Sequence, residues 1–341
     1  MVNSDELNLE GFKEQIEKTG FVLEYEVSKI LENHGWNVIT NRYYIDPMKN
    51  IDREIDILAY KVFKFKGIQY YTSLIISCKK SEKNVWSFLT KDLKEDDPNI
   101  NHYPVAYWTN SKIIEFMLNE KEIENIIEND FLDKDYLHNI YSLNKEVFAF
   151  QQMNSTSCKP KNDSNIYNSI TTTIKALEYE RNSLPERREN KAFYNFNLLS
   201  IFKGDFIELY FNNGDIVPKK IDSIKYLNRH IVSEKEDFYR VHFISYDKLE
   251  EKLEDFNKLF NWNFKYYSQL ISEYYNKVFI FDNYAELFWN QFKQELIDFI
   301  NIEISWEYED FENYSIKSFD YNYKKEDKKL LLLISFNNSK S

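Results

Sequence analysis

The sequence predicts an α/β fold in the order helix, three strands, inserted segment, helix, further strands. Three observations point to it. Residues 12–34 carry an apolar stripe at helical spacing, Leu23, Val27, Ile30 and Leu31, that stops at Gly35. Two β-branched apolar runs, 53–60 and 74–81, follow with Lys66-Gly67 as the turn signal between them. A second helical pattern over 166–182 then leads into strand-like residues 196–211 and 239–246.

The remaining elements follow in order. Residues 36–45 read as the first strand, closed by Asp46-Pro47. Residues 82–163 are less regular, with a short strand at 105–108, a helix over 111–129 and a strand at 147–153. Ile113, Ile114, Met117 and Leu118 give that helix its apolar side. Residues 154–165 are the clearest loop, and the 196–211 run bends at Lys203-Gly204-Asp205. Asp247, with Glu250 three residues on, has the pattern of a capping box. It opens a helix with Leu249, Leu253, Phe256 and Phe260 on its buried stripe. Past Trp262 come another amphipathic helix (Ala285, Phe288, Trp289, Phe292, Leu296), an acidic Tyr-rich piece and a last strand at 328–335. This divides the chain into a domain over 10–260, with an insertion at about 86–163, and a helical, aromatic C-terminal extension over 261–341. The aromatic residues fall at helical spacing beside negative charge and read as core.

Composition removes whole classes of function. A chain of 341 residues, 43% hydrophobic and 17% aromatic, can bury a sizeable core. The net charge of −12 argues against a protein that coats nucleic acid, which needs clustered Lys and Arg. It leaves room for a nuclease, whose metal site is itself acidic. The two cysteines, Cys78 and Cys158, suit a reducing compartment. Neither a leader-like N-terminus nor a run near the ~18 apolar residues of a membrane span is present, so a soluble cytoplasmic protein without membrane association is expected. The six glycines form no phosphate-cradling loop, and no Gly-x-Ser-x-Gly elbow or zinc-type His/Cys spacing occurs.

The chemistry concentrates in the two strands around Gly67. Asp56 lies eleven residues before that glycine and Lys79 twelve after it. A hairpin turning there sets Asp56 across from residues 77–79. Alternation puts Ser77 and Lys79 on one face and Ile76 and Cys78 on the other. A carboxylate and an ammonium then meet at one end of an apolar hairpin, which suits metal-assisted phosphodiester chemistry. The same pair also describes a solvated cross-strand ion pair, worth about 0.2–1 kcal/mol.

Three segments in this order resemble the restriction-endonuclease-like, or PD-(D/E)XK, nuclease fold, over roughly residues 10–260. They are the helix with Glu24 ahead of its Val/Leu stripe and Gly35 at its end, the run Glu54-Ile-Asp56-Ile-Leu-Ala, and the run Leu74-Ile-Ile-Ser77-Cys-Lys79-Lys-Ser. The resemblance implies that Asp56 and Glu24 hold Mg²⁺ or Mn²⁺ and that Lys79 positions the attacking water. Helix geometry alone does not choose between Glu24 and Glu26, which edge the same stripe; the family pattern favours Glu24. Glu54 shares the face of Asp56 and reads as a flanking contact.

Ser77 departs from the pattern, because the family carries an acid there. Three readings compete: an acid relocated to Glu82, Asp92 or Glu95; a shell in which Glu24 suffices; or a site that has lost catalysis and kept binding. Lys80, Ser81 and Gln151 are the expected nucleic-acid contacts, although a solvated strand end explains the first two equally well. Gln152, residues 171–173, Lys175 and the Arg187-Arg188 pair are weaker candidates of the same kind. The function expected is a metal-dependent nuclease acting on DNA, with RNA left open, in bacterial defence or DNA processing. The alternative is a catalytically inactive module of the same fold that binds nucleic acid, a protein partner or a second copy through its C-terminal region.

Overall fold

Two helices, α1 (Leu9–Ile16) and α2 (Gly20–Asn33), open the chain where one was expected over 12–34. The break falls at Thr19-Gly20, both weak helix formers, where the Thr19 hydroxyl donates to the Ile16 carbonyl at 2.6 Å. The computed structural model describes residues 8–46, 48–94, 97, 99–121, 134–278, 280–307, 314–324, 326 and 329–338. At its far end α2 stops as the glycine predicts. Gly35 takes φ +75°, and the Gly35 and Trp36 amides reach back to the Glu32 and Leu31 carbonyls at 2.9 and 3.0 Å, a Schellman closure.

Three strands follow as an antiparallel meander: β1 (Asn37–Ile45), β2 (Asp52–Phe65) and β3 (Ile68–Lys80). Lys66 at φ +45° and Gly67 at φ +80° form the two-residue turn between the last two. Two successive positive φ values give a type I′ hairpin, whose twist matches that of its strands. The ladder runs from Phe65 opposite Ile68 to Ile57 opposite Ile76.

The next stretch holds β4 (Asn84–Lys91), β5 (Ala106–Thr109), α3 (Lys112–Lys121), α4 (Asp135–Tyr141) and β6 (Glu146–Asn154). Of these, β4 and α4 were not expected, and the second half of the helix expected over 111–129 lies outside the described residues. Helix α5 (Ser164–Arg187) continues past the expected end at 182 and carries Pro185 in its last turn. The expected bent strand over 196–211 is two strands in two sheets, β7 (Ala192–Lys203) and β8 (Phe206–Asn212). Gly204 makes the crossing. A Cβ there would lie 2.6 Å from the Phe202 ring and 2.9 Å from the Ser81 carbonyl.

Strands β9 (Asp215–Ile221), β10 (Ser223–Val232) and β11 (Lys235–Ser245) complete the sheets. Asp247 falls in a 3₁₀ turn, Tyr246–Lys248, and not at an N-cap; α6 (Leu249–Lys277) follows it directly. The end of the chain holds α7 (Asp282–Glu307) and the hairpin of β12 (Tyr314–Lys324) and β13 (Lys329–Asn338).

The architecture is therefore mixed α/β around a mixed sheet of order β1-β2-β3-β7-β11-β10. β7 runs parallel to both β3 and β11, and β5 pairs antiparallel with its first half. A second sheet has the order β6-β4-β8-β9. The main core gathers Ile166, Ile170, Ile174 and Leu177 of α5 with Ile75, Leu198, Trp86 and Phe243 from the strands. α2 buries Leu23, Val27 and Leu31. Two compact units result, one of residues 1–110 and 121–264, the other of 111–120 and 265–341. In the second, Phe116 meets Tyr284 edge-on at 4.9 Å and Trp289 lies 5.0 Å from Tyr321. No described helix is long and apolar enough to cross a membrane.

Candidate active site

The hairpin turn fixes the far end of the β2–β3 ladder, and the register carries Asp56 to a place opposite Ser77. There a single carboxylate oxygen, Asp56 Oδ2, collects three donors. The Cys78 amide lies at 2.6 Å, the Ser77 hydroxyl at 3.2 Å and the Lys79 ammonium at 3.4 Å. Among the described residues no hydrogen bond reaches Oδ1. Lys79 also donates to the Cys78 carbonyl at 3.1 Å. Ser77 is fully buried, whereas Asp56 and Lys79 keep 17% and 32% of their side chains exposed, so the ion pair opens to solvent.

Glu24 joins this group from α2. Burial pushes its carboxyl above the usual range, and the negative charge of Asp56 adds to the effect; Lys79 opposes it and Glu54 reinforces it. These four charged groups therefore share one electrostatic neighbourhood. Cys78 lies beneath them, its thiol held well up by burial and by the charges of Asp56 and Glu24, so it is a packed, inert side chain.

Glu26, the competing acid on the same helix, is committed elsewhere. Its carboxylate meets Lys203 at 2.7 Å, and that ammonium lies 4.6 Å from the centre of the Tyr246 ring. Sequence reasoning missed this pair because Lys203 ends a strand far along the chain, and nothing local to either residue announces the other.

The other expected residues are not brought to Asp56. Lys80 donates to the Glu17 carbonyl at 3.1 Å and pairs with Glu82 at 3.3 Å. The Ser81 hydroxyl accepts from the Asn84 amide at 3.1 Å, shaping the entry to β4. Gln151 donates to the Gln152 carbonyl at 3.1 Å and to that of Lys161, tying the 154–165 loop to β6. Of the relocated acids, Glu82 is spent on Lys80, Asp92 accepts from the Tyr210 hydroxyl at 2.6 Å, and Glu95 lies outside the described residues. On α5, Thr171 bonds back to the Tyr167 carbonyl, Thr173 is buried, and Lys175 pairs with Asp46 at 2.7 Å. Arg187 pairs with Glu180 at 2.7 Å, and Arg188 lies over the Tyr71 ring.

Among the described residues no group of three or more His, Cys, Asp or Glu is placed to hold a metal ion. Of the three carboxylates in this neighbourhood, Glu54 accepts from the Asn41 side-chain amide, which leaves two, Glu24 and Asp56. That number suits Mg²⁺, which keeps several waters and takes one or two carboxylates together with substrate phosphate. No protein-family model, curated protein or solved structure matches the chain.

Proposed function

We propose that the chain is a metal-dependent nuclease of the restriction-endonuclease-like type, hydrolysing phosphodiester bonds in DNA. One observation carries the proposal: burial and the negative charge of Asp56 both raise the cost of charging Glu24, while Lys79 stands 3.4 Å from Asp56. Two acids in one field call for a cation. Lys79 supplies one positive charge, and a divalent ion held between Glu24 and Asp56 would supply the balance. The order of elements supports the same reading, with Glu24 on a helix, Asp56 on the second strand and Lys79 on the third.

The geometry supports the following roles. Bound Mg²⁺ supplies charge neutralisation at the phosphoryl oxygens and a water that ionises near neutral pH. The Cys78 amide and the Ser77 hydroxyl fix Asp56 through Oδ2. Glu24, raised by its surroundings, completes the acidic side of the site. Lys79, part exposed beside Asp56, orients the attacking water and answers negative charge on the phosphate. A second reading is favoured by Ser77 itself. It places a neutral hydroxyl where the family carries an acid, so this site has one negative charge fewer, as a nuclease-like binding module would.

Cleavage assays on plasmid, linear and single-stranded DNA and on RNA, in Mg²⁺ and in Mn²⁺, separate the two. Asp56→Ala and Lys79→Ala are expected to lower the rate by about 100-fold or more. Wild-type rates in either variant overturn the assignment. DNA binding with no substrate cut, and no Asp56-dependent Mn²⁺ binding by calorimetry, supports the binding module instead.

A further inference from the structure

On the face of the central sheet formed by β10 and β11, basic side chains gather without an ion pair among the described residues. Lys225 stands directly opposite His242 in that ladder, and Arg240 is two residues from His242 on the same strand. Cross-strand partners and alternate residues share a face, so the three project to one side. Val241 and Phe243, the intervening positions, belong to the core.

Arg240 and His242 are 8% and 7% exposed. The Arg240 guanidinium donates to the carbonyls of His102 at 2.8 Å and Pro104 at 3.3 Å, and its Nε is buried without a partner. Lys225 likewise donates to a carbonyl, that of Asn139, at 3.0 Å. Neither forms an ion pair among the described residues. A cation taken out of water without a paired counter-ion is disfavoured. The effect is visible in the acidities. Burial, then Arg240 and Lys252, push the Lys225 ammonium down to about 7 against the opposing charge of Asp255, and burial brings Arg240 down to about 10.

A cavity of about 380 Å³ opens over Lys225 and His242. Four lysines line it (Lys145, Lys219, Lys225 and Lys252) against two carboxylates, Glu208 and Asp255. Glu208 is already held by Lys145 at 3.1 Å and Thr90 at 2.9 Å, and Asp255 accepts from Asn139 at 3.2 Å. Ile221, Ile224 and Phe256 form an apolar part of the wall. In a chain of net charge −12 this is a concentration of cations against the overall trend.

We propose that this cavity binds a small phosphorylated anion, with Lys225 and Lys252 holding the phosphate and Ile224 and Phe256 packing against the attached skeleton. The size agrees, since pockets for small ligands run from about 300 to 1,000 Å³. A nucleic-acid strand fits less well, because it needs an exposed basic track. Here Arg240 is covered by Tyr141, whose ring centre lies 5.3 Å from the guanidinium, and Lys225 is tethered to α4. None of Glu24, Asp56 or Lys79 lines the cavity, so the proposal stands whether or not the chain cuts DNA.

Calorimetry on the full chain in metal-free buffer, with inorganic phosphate, ribose 5-phosphate and AMP as probes, tests it. Saturable binding of at least one probe is expected. Lys252→Glu should weaken it about tenfold or more, the loss of one charge-assisted hydrogen bond. Lys225→Met should abolish it. Lys252 sits half-buried on a helix surface, so its variant should keep the wild-type melting temperature and stand as the control if Lys225→Met misfolds. AMP binding tighter than inorganic phosphate would name a nucleotide-like occupant, and equal affinities would name the phosphate group alone; both outcomes support the site. No binding of any probe, or affinity unchanged by Lys252→Glu, overturns it. So does displacement of the probe by a short DNA duplex whose own affinity falls in Lys252→Glu, which would make the cavity part of a nucleic-acid track.

Discussion

Ser77 sets how much negative charge surrounds Asp56, and its hydroxyl spends its proton on Asp56 Oδ2 at 3.2 Å. Replacing it with glutamate would put a third carboxylate beside Glu24 and Asp56. Metal affinity follows the number of charged ligands, so Ser77→Glu should raise Mn²⁺ affinity by about tenfold in calorimetry. Without metal the same variant should melt at a lower temperature, because the position is fully buried and Lys79 alone would answer three acids. Added Mn²⁺ should restore the melting temperature. An affinity unchanged from wild type would remove Ser77 from the metal shell. The grouping of Asp56, Ser77 and Lys79 was legible in the sequence because a hairpin register is a local quantity, counted outward from one turn. Helix geometry could not choose Glu24 over Glu26, and the resemblance alone favoured Glu24; the ion pair that occupies Glu26 depends on Lys203, whose position only the folded sheet determines. The hydrogen bonds of Lys80 and Gln151 were not legible for a related reason: their partners, the Glu17 and Lys161 carbonyls, lie on other segments.

At the level of elements, strong local signals survived and weak ones did not. The Lys66-Gly67 turn and the Gly35 stop act within a few residues, so both could be read directly. β9 could not, because it is exposed along nearly its whole length and carries Pro218. Among the described residues it pairs only with β8, and an edge strand is where a proline and the absence of apolar alternation are tolerated. β7 and β8 read as one strand because both are apolar, and only the crowding around Gly204 separates them. The turn itself gives a test. Nothing lies within 4 Å of a Cβ built on Gly67, so Gly67→Ala meets only the backbone cost of φ +80°. That cost is about 1–2 kcal/mol for a residue with a side chain. Urea unfolding should show a loss of this size. Mn²⁺ affinity should stay at the wild-type value, because the remaining ladder holds the register. A fall in both would mean that the turn, and not the ladder, positions Asp56.

Across the first unit as a whole, the strand meander is joined to α5 by ion pairs that cross long stretches of sequence. Glu180 on α5 takes Arg42 of β1 at 2.8 Å and Arg187 at 2.7 Å. Asp46, directly after β1, takes Lys175 at 2.7 Å and the amides of Met48 and Lys49 at 2.9 and 3.3 Å. Asp46 is 1% exposed. Burial pushes its carboxyl up, but the Lys175 ammonium and the two amides outweigh burial and hold it below its ordinary value of 3.8. A carboxylate whose folded pKa is lowered stabilises the fold above its unfolded pKa, and that contribution disappears as pH falls through the folded one. Asp46→Asn should therefore cost about 3 kcal/mol at neutral pH, because it leaves Lys175 part buried without its anion. The gap between wild type and variant in urea unfolding should hold constant down to about pH 4, near the unfolded value, then narrow as the solution becomes more acidic. A gap that persists unchanged at lower pH would assign the loss to packing and not to charge. Because Asp46 closes the connection into β2, the same variant should also loosen the strand that carries Asp56, and amide hydrogen exchange across residues 52–58 should accelerate with it at neutral pH.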